Sequence, residues 1–325
     1  MQAFEYAAPA SVSEALGLLA ANWGEADILG GGTDLLSLMK ERIHTPKRVV
    51  GLRGIKELKG ISKAAGGLRI GALVTLQQLL ADSEVTKQYP LLAQAAEGVS
   101  SPQIHAMGTV GGDLLQRPRC WYFRNGFGLL AKDAQGKALV PNGENQYHAI
   151  LGNKGPAYFV NPSSLAPALI ALGAKVKLVS PSGEKQIEVE KLYRSPSNDN
   201  ERELALEPNE ILTEILIPAA GGARSATYEV RQRQLLDWPL ATASVSLKMN
   251  GRTIESARVV MGHVAPTPWR SPEAEKALQG KTVSEDVAAA AGKAALAMAT
   301  PLSRNKHKVQ LARVAVKRAI LRAAG

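Results

Sequence analysis

The sequence predicts an α+β chain of two or three domains. Three observations carry that reading. The chain has 325 residues and 45% of them are hydrophobic, enough for more than one buried core. The N-terminal third alternates short apolar runs with helical patterns. The C-terminal third pairs two long runs about an Asn-Gly turn and then becomes helical and alanine-rich.

The elements follow in order. Ser11-Val12-Ser13-Glu14 fits a capping box, and Ala15, Leu16, Leu18 and Leu19 give the helix after it an apolar face. Asp27-Ile28-Leu29 reads as a strand running into Gly30-Gly31-Gly32, with a helical turn over 34–40. Residues 47–52 and 68–72 are further strands, and 75–99 reads as helix broken near Pro90. Residues 108–162 are rich in Gly, Pro and Asn and read as irregular, a pattern often tied to function. A short helix spans 164–172. Strands at 175–180 and 185–189 flank the turn Pro181-Ser182-Gly183-Glu184, and 211–217 is a strand stopped by Pro218. Gly221-Gly222 reads as a linker. Runs 241–249 and 253–261 form a hairpin about Asn250-Gly251. In the tail, Val309, Ala312, Val316 and Ile320 recur at helical spacing and predict one buried stripe. The chain has no internal repeat and no low-complexity tract.

Composition narrows the function. Aromatic residues are 5%, which disfavours a base-stacking surface or a carbohydrate cleft. No apolar run approaches the roughly 18 residues of a membrane span. The N-terminus carries Glu5 and no basic segment, so no export signal of its own is expected. A single cysteine, Cys120, excludes a disulfide framework, a thiolate zinc site and a self-contained iron–sulfur cluster. His44, His105, His148, His263 and His307 are scattered, so no metal site is expected. The net charge of +10 gathers in 304–325, where seven basic residues meet no acid. That segment reads most simply as a solvated helix face, with an anionic partner as the sharper reading.

Two glycine clusters carry the candidate chemistry. They are Leu29-Gly30-Gly31-Gly32-Thr33-Asp34-Leu35 and Gly108-Thr109-Val110-Gly111-Gly112-Asp113. Consecutive glycines let backbone N–H groups converge without a Cβ in the way, which suits a phosphate. A threonine beside each adds a hydroxyl. The first cluster also precedes a helical turn, whose dipole favours an anion. Neither cluster is G-x-G-x-x-G or ends in G-K-[ST], so neither a Rossmann fingerprint nor a P-loop fits. No G-x-S-x-G is present, and no histidine is motif-linked to Cys120. A redox-cofactor protein needs little of this machinery, because the cofactor carries the chemistry.

With these motifs the chain resembles the FAD-binding subunits of the molybdenum hydroxylases, the xanthine dehydrogenase and carbon monoxide dehydrogenase family. The aldehyde oxidoreductase FAD subunit is the nearest pattern. Four stretches carry the resemblance: Ile28 to Leu36, Met107 to Arg117, Cys120-Trp121-Tyr122-Phe123-Arg124, and Gly262 to Arg270 with its Ala-Pro-Thr-Pro-Trp-Arg run. It covers nearly the whole chain. It implies two FAD-gripping subdomains of the PCMH/VAO-like kind, at 1–60 and 61–220. A C-terminal domain of a small antiparallel sheet with helices would follow at 221–325.

The resemblance also implies site residues. The first glycine loop would bind the FAD diphosphate through Leu29, Gly30, Gly31, Gly32, Thr33, Asp34, Leu35 and Leu36. The second would line the dinucleotide through Thr109, Gly111, Gly112 and Asp113. Ser164 matches an acidic FAD contact of the family and gives only a hydroxyl. Ile211 matches an apolar contact on the flavin side. Asp113 stands where the family has Asn or Ser, and a carboxylate beside a diphosphate is repulsive unless it points away. Glu229 stands near a basic contact that it cannot replace. His105 reads as a loop residue, Trp121, Tyr122 and Phe123 as core or interface aromatics. Asp237 reads as a capping or ion-pairing group, and Arg231 and Arg233 as bracing the cofactor or pairing with carboxylates. The aldehyde oxidoreductase branch carries extra cysteines after this Cys-Trp-Tyr-Phe-Arg run that bind a [4Fe–4S] cluster. This chain has only Cys120, so no cluster is expected here, and Cys120 reads as a plain, partly buried thiol.

The resemblance thus implies an electron-transfer subunit with non-covalent FAD and no catalytic acid–base pair. Its partners would be a large molybdopterin subunit and a small [2Fe–2S] subunit, with neither nucleic acid nor membrane insertion. Electrons would pass from the [2Fe–2S] clusters through FAD to an external acceptor. The chain would be cytoplasmic, or exported in complex with a signal-bearing partner. Two rivals stand beside it: a stand-alone FAD oxidoreductase, and a scaffold subunit whose FAD binding is weakened by Asp113, Ser164 and Glu229.

Overall fold

A computed structural model describes residues 1–64, 66–99, 101–233 and 236–325. Strand β1 (Glu5–Ala7) leads to helix α1 (Val12–Leu18), β2 (Ala26–Leu29), α2 (Leu35–Lys40) and β3 (Arg48–Gly51). The three strands form a parallel sheet in the order β1-β3-β2, so helical crossovers are obligatory. The Ser11 cap is half of the expected box. Ser11 accepts from Glu14 N, but the Glu14 carboxylate reaches Ala10 N instead of the cap residue.

A second sheet follows from β4 (Ile61–Ala64) and β5 (Gly67–Gly71). The stretch read as one broken helix is three: α3 (Leu76–Ala81), α4 (Ser83–Gln88) and α5 (Pro90–Glu97). The extra break lies at Asp82, whose carboxylate caps α4 by accepting from Glu84 N and Val85 N at 2.9 and 3.0 Å. Thr75 and Gln78 form a complete capping box on α3. Next come α6 (Pro102–Met107), α7 (Val110–Leu115) and α8 (Trp121–Arg124), so the segment expected to be irregular holds two short helices. After a long excursion come α9 (Leu165–Ala171), β6 (Lys175–Ser180), β7 (Gly183–Glu188) and β8 (Ile211–Pro218). The sheet is antiparallel, in the order β4-β5-β8-β6-β7. Pro218 sits in the last pair of β8, opposite Gly67, where a lost ladder bond costs least.

The C-terminal sheet joins β9 (Arg224–Val230), β10 (Ala241–Asn250), β11 (Thr253–Gly262) and β12 (Trp269–Arg270) in the order β12-β11-β10-β9. The Asn250-Gly251 turn closes the β10–β11 hairpin as expected, with Gly251 at φ +59°. Helices α10 (Pro272–Leu278), α11 (Glu285–Ala295) and α12 (His307–Ala324) complete the unit. Ala312, Val316 and Ile320 of α12 are fully buried, and Val309 is partly so. Burying the Val316 and Ile320 side chains contributes about 1.5–3 kcal/mol each. Lys308 departs from the solvated reading of the tail. It is 1% exposed, and its ammonium donates to the carbonyls of Tyr147, His148 and His263 at 2.8–3.1 Å.

Candidate functional site

The two glycine motifs meet. An ideal Cβ on Gly31 would lie 1.8 Å from the Met107 carbonyl oxygen, and one on Gly30 would lie 3.3 Å from Thr109 Oγ1. Side chains at these positions would hold the loops apart. Gly32 adopts φ +79°, the left-handed region that disfavours a Cβ, so the chain can turn from β2 into α2. Among the described residues, no protein acceptor takes the N–H groups of Gly31, Gly32 or Thr33. They are free donors on a half-exposed loop, as the nest reading expects.

The second motif differs from that reading. It is the first turn of α7, not an open nest. Val110 N donates to Val74 O at 2.8 Å and Gly111 N to Ala72 O at 2.9 Å. Gly112 N donates to Thr109 Oγ1 at 3.0 Å, and Asp113 N to Thr109 O at 2.8 Å. The N–H groups from Val110 to Asp113 are spent inside the fold. What its glycines supply is closeness: a Cβ on Gly111 would stand 3.0 Å from the Ala72 Cβ and carbonyl oxygen.

Two cavities, of about 180 and 260 Å³, open on either side of the junction. Both are lined by Thr33, Asp34, Thr109, Gly112 and Gln116, so they are two arms of one cleft. Gly30, Gly31, Gly32, Leu35, Gly111 and Ile211 line the first arm; Asp113 and Ser164 line the second. Leu29 and Leu36 line neither. Their side chains flank Gly32, where a Cβ would meet them at 3.1–3.3 Å. The first arm runs to Trp23, Asp27 and His44, and the second to Ile104 and Trp238.

The carboxylates near the cleft are occupied. Asp34 accepts from Arg117 N at 2.7 Å, Arg119 at 2.9 Å and Arg124 at 2.8 Å. It latches the first glycine loop to the segment after α7. Asp113 does point away from the glycine loop. It accepts from Ser163 Oγ at 2.5 Å and Leu165 N at 3.0 Å, closing the start of α9. Burial pushes the Asp113 carboxyl above its usual range, against the pull of those bonds. Glu229 lines neither arm. It pairs with Arg231 beside Gly98, and burial raises its carboxyl against that pairing. At the far end of the first arm, His44 bridges Asp27 at 3.2 Å and Arg117 at 2.7 Å, and Arg117 also pairs with buried Glu203. Burial raises the Asp27 carboxyl, but His44, Arg202 and Arg117 together bring it below its ordinary value.

Two family models cover the chain in turn. Residues 2–220 match the FAD binding domain in molybdopterin dehydrogenase, and 226–323 match the CO dehydrogenase flavoprotein C-terminal domain. The chain belongs to this flavoprotein family. It is 32% identical to the aldehyde oxidoreductase FAD-binding subunit PaoB of Escherichia coli, over 96% of both chains. It is 29% identical to the carbon monoxide dehydrogenase medium chain of Hydrogenophaga pseudoflava, over 98% of this chain and 96% of that one. A solved structure of the Hydrogenophaga pseudoflava enzyme superposes with a TM-score of 0.77 at 29% identity, over 99% and 97% of the two chains. The quinoline 2-oxidoreductase of Pseudomonas putida 86 matches with a TM-score of 0.77 at 26% identity, over the same shares.

Against this family background, the sequence reading missed the latch. Arg117, Arg119 and Arg124 follow the second glycine motif at short spacing and are the partners of the first motif's Asp34. The spacing was visible, but the pairing spans 83 residues or more of chain. His105 lies on α6, not in a loop, with Nε2 buried and unpartnered. Cys120 does have a histidine, far from it in sequence: His148 Nε2 lies 3.1 Å from its sulfur. Burial raises the Cys120 thiol, and burial with the Lys308 charge lowers His148 to about 4. The pair is therefore neutral near pH 7, and the half-buried thiol has little thiolate character there. Arg119 links the latch to the second arm by standing 4.8 Å over the Trp238 ring. Asp237 accepts from Arg233 N at 3.0 Å, a capping role. Among the described residues, no cluster of three or more His, Cys, Asp or Glu side chains could hold a metal ion. No described helix is long and apolar enough to cross a membrane.

Proposed function

We propose that this chain is the flavin subunit of a heteromeric molybdenum hydroxylase. It would pass electrons from partner [2Fe–2S] clusters through FAD to an external acceptor. One observation carries the site: free backbone donors of Gly31, Gly32 and Thr33 sit where two arms of a cleft meet. A dinucleotide asks for that arrangement, a central anion site with a ring-sized pocket to each side. The loop N–H groups would hold the diphosphate, and the α2 dipole would add to them. Thr109 and Gly112 would form the facing wall, with no side chain at Gly112 in the way. Asp113 and Ser164 would border the second arm, and Ile211 would give the first an apolar wall. Leu29 and Leu36 support the loop from outside, and Asp34 holds it in register. When bound, FAD supplies one- and two-electron redox chemistry of its ring system.

The scaffold reading rested on Asp113, Ser164 and Glu229. The bonds that occupy Asp113 and Glu229 inside the fold favour cofactor binding over it. The division at 1–60, 61–220 and 221–325 is supported by a separate sheet in each stretch. We propose that the chain acts in the cytoplasm, or is exported in complex with a signal-bearing partner. The test is flavin uptake by the full chain. FAD should bind in about one equivalent, with quenched flavin fluorescence, and FMN should bind much more weakly. No uptake of FAD would overturn the proposal.

A further inference from the structure

We infer that the groove between α5, β9 and α12 docks an acidic segment of a partner subunit. The groove measures about 560 Å³ and shares only Gly98 with the second arm of the glycine cleft. Its floor is apolar, from Leu311, Val314 and the ring of Tyr228. Its rim is cationic. Arg318 and Arg322 stack on the Tyr228 ring, with guanidinium carbons 5.1 and 5.4 Å from the centroid. Arg233 stands at the same rim.

The pairing pattern makes these arginines unusual. Neighbouring cations are neutralised: Lys317 by Glu285 and Arg231 by Glu229. Among the described residues, Arg318, Arg322 and Arg233 have no carboxylate partner. Glu97 is the groove's other carboxylate and is itself unpaired, which leaves three free cations against one anion. Stacking holds two guanidinium groups in place before any ligand arrives, which lowers the ordering cost of binding. Arg318 also donates to the Tyr228 hydroxyl and Arg322 to Thr227 O, and the remaining N–H groups of two guanidinium groups without a carboxylate partner suit a carboxylate.

The edge of β9 shows how the occupant would bind. Thr227 N donates to Gln94 Oε1 at 3.0 Å, and Arg322 donates to Thr227 O at 3.1 Å. These side chains plug the free strand edge, so an added strand is blocked there. The occupant must bind through its side-chain carboxylates, with apolar contact to the floor.

The inference rests on the proposed function only in placing this segment on a partner subunit. The test uses the full chain and a labelled decaglutamate peptide, read by fluorescence anisotropy. R318E/R322E should weaken binding by about tenfold or more. K56E/K59E makes the same charge change away from the groove and should alter it by less than about twofold. R233E, scored beside them, gives an independent variant should the double variant melt early. Equal losses in both double variants would mean bulk charge and overturn the inference, as would displacement of the peptide by duplex DNA at equal charge. Flavin content is measured on the same samples. Peptide binding without flavin uptake sinks the proposed function alone, and uptake without groove-dependent binding sinks this inference alone.

Discussion

The two glycine motifs are alike in sequence and opposite in use. Gly30-Gly31-Gly32 is an open turn with a left-handed glycine and unspent N–H groups. Gly111-Gly112 is a helical turn whose N–H groups all bond within the fold. The first uses glycine for conformation and for close approach to the Met107 carbonyl. The second uses it to press a helix start against residue 72. A run of glycines therefore says that a Cβ is unwelcome. It does not say whether a ligand or a neighbouring segment occupies the space.

Three substitutions test that contrast. Gly31→Val should have the largest effect on cofactor. Its Cβ would strike the Met107 carbonyl and part the loops, lowering FAD retention about tenfold or more while circular dichroism stays native. Retention at the wild-type level would count against the first motif as the anion site. Gly111→Val should act on stability instead. Crowding against Ala72 should cost about 1–3 kcal/mol in denaturant unfolding, with FAD still bound below the transition. If it strips flavin while unfolding normally, the two motifs do not differ as described. Thr109→Ala is the mildest. It removes the cap on Gly112 N and should cost about 1 kcal/mol, with flavin stoichiometry unchanged. A loss of flavin there would give the Thr109 hydroxyl a direct role.

Much of the fold was legible locally. The Asn250-Gly251 hairpin, the buried stripe of α12 and the strand ahead of the first glycine loop all follow from short-range pattern, because turn chemistry and periodicity act over a few residues. Strand β9 was missed: its alternation is weak, and pairing with β10 is what makes it a strand. Helix α7 was missed because glycines are poor helix formers, and here a threonine cap and contact with residue 72 override that preference. Lys308 looked like a solvated cation. Three backbone carbonyls from two distant segments bury it, and burial depresses it to about 7.

By itself the sequence determined the class of chemistry: two glycine motifs at a family-specific separation, one cysteine, and no acid–base constellation. Those are properties of residue type and order. Tertiary structure alone decided which motif keeps its donors, where Asp34 and Asp113 point, and which arginines stay unpaired. The second motif bonds back to Ala72 and Val74, Asp34 reaches Arg117 and Asp113 reaches Ser163, and only folding brings such groups within hydrogen-bond reach.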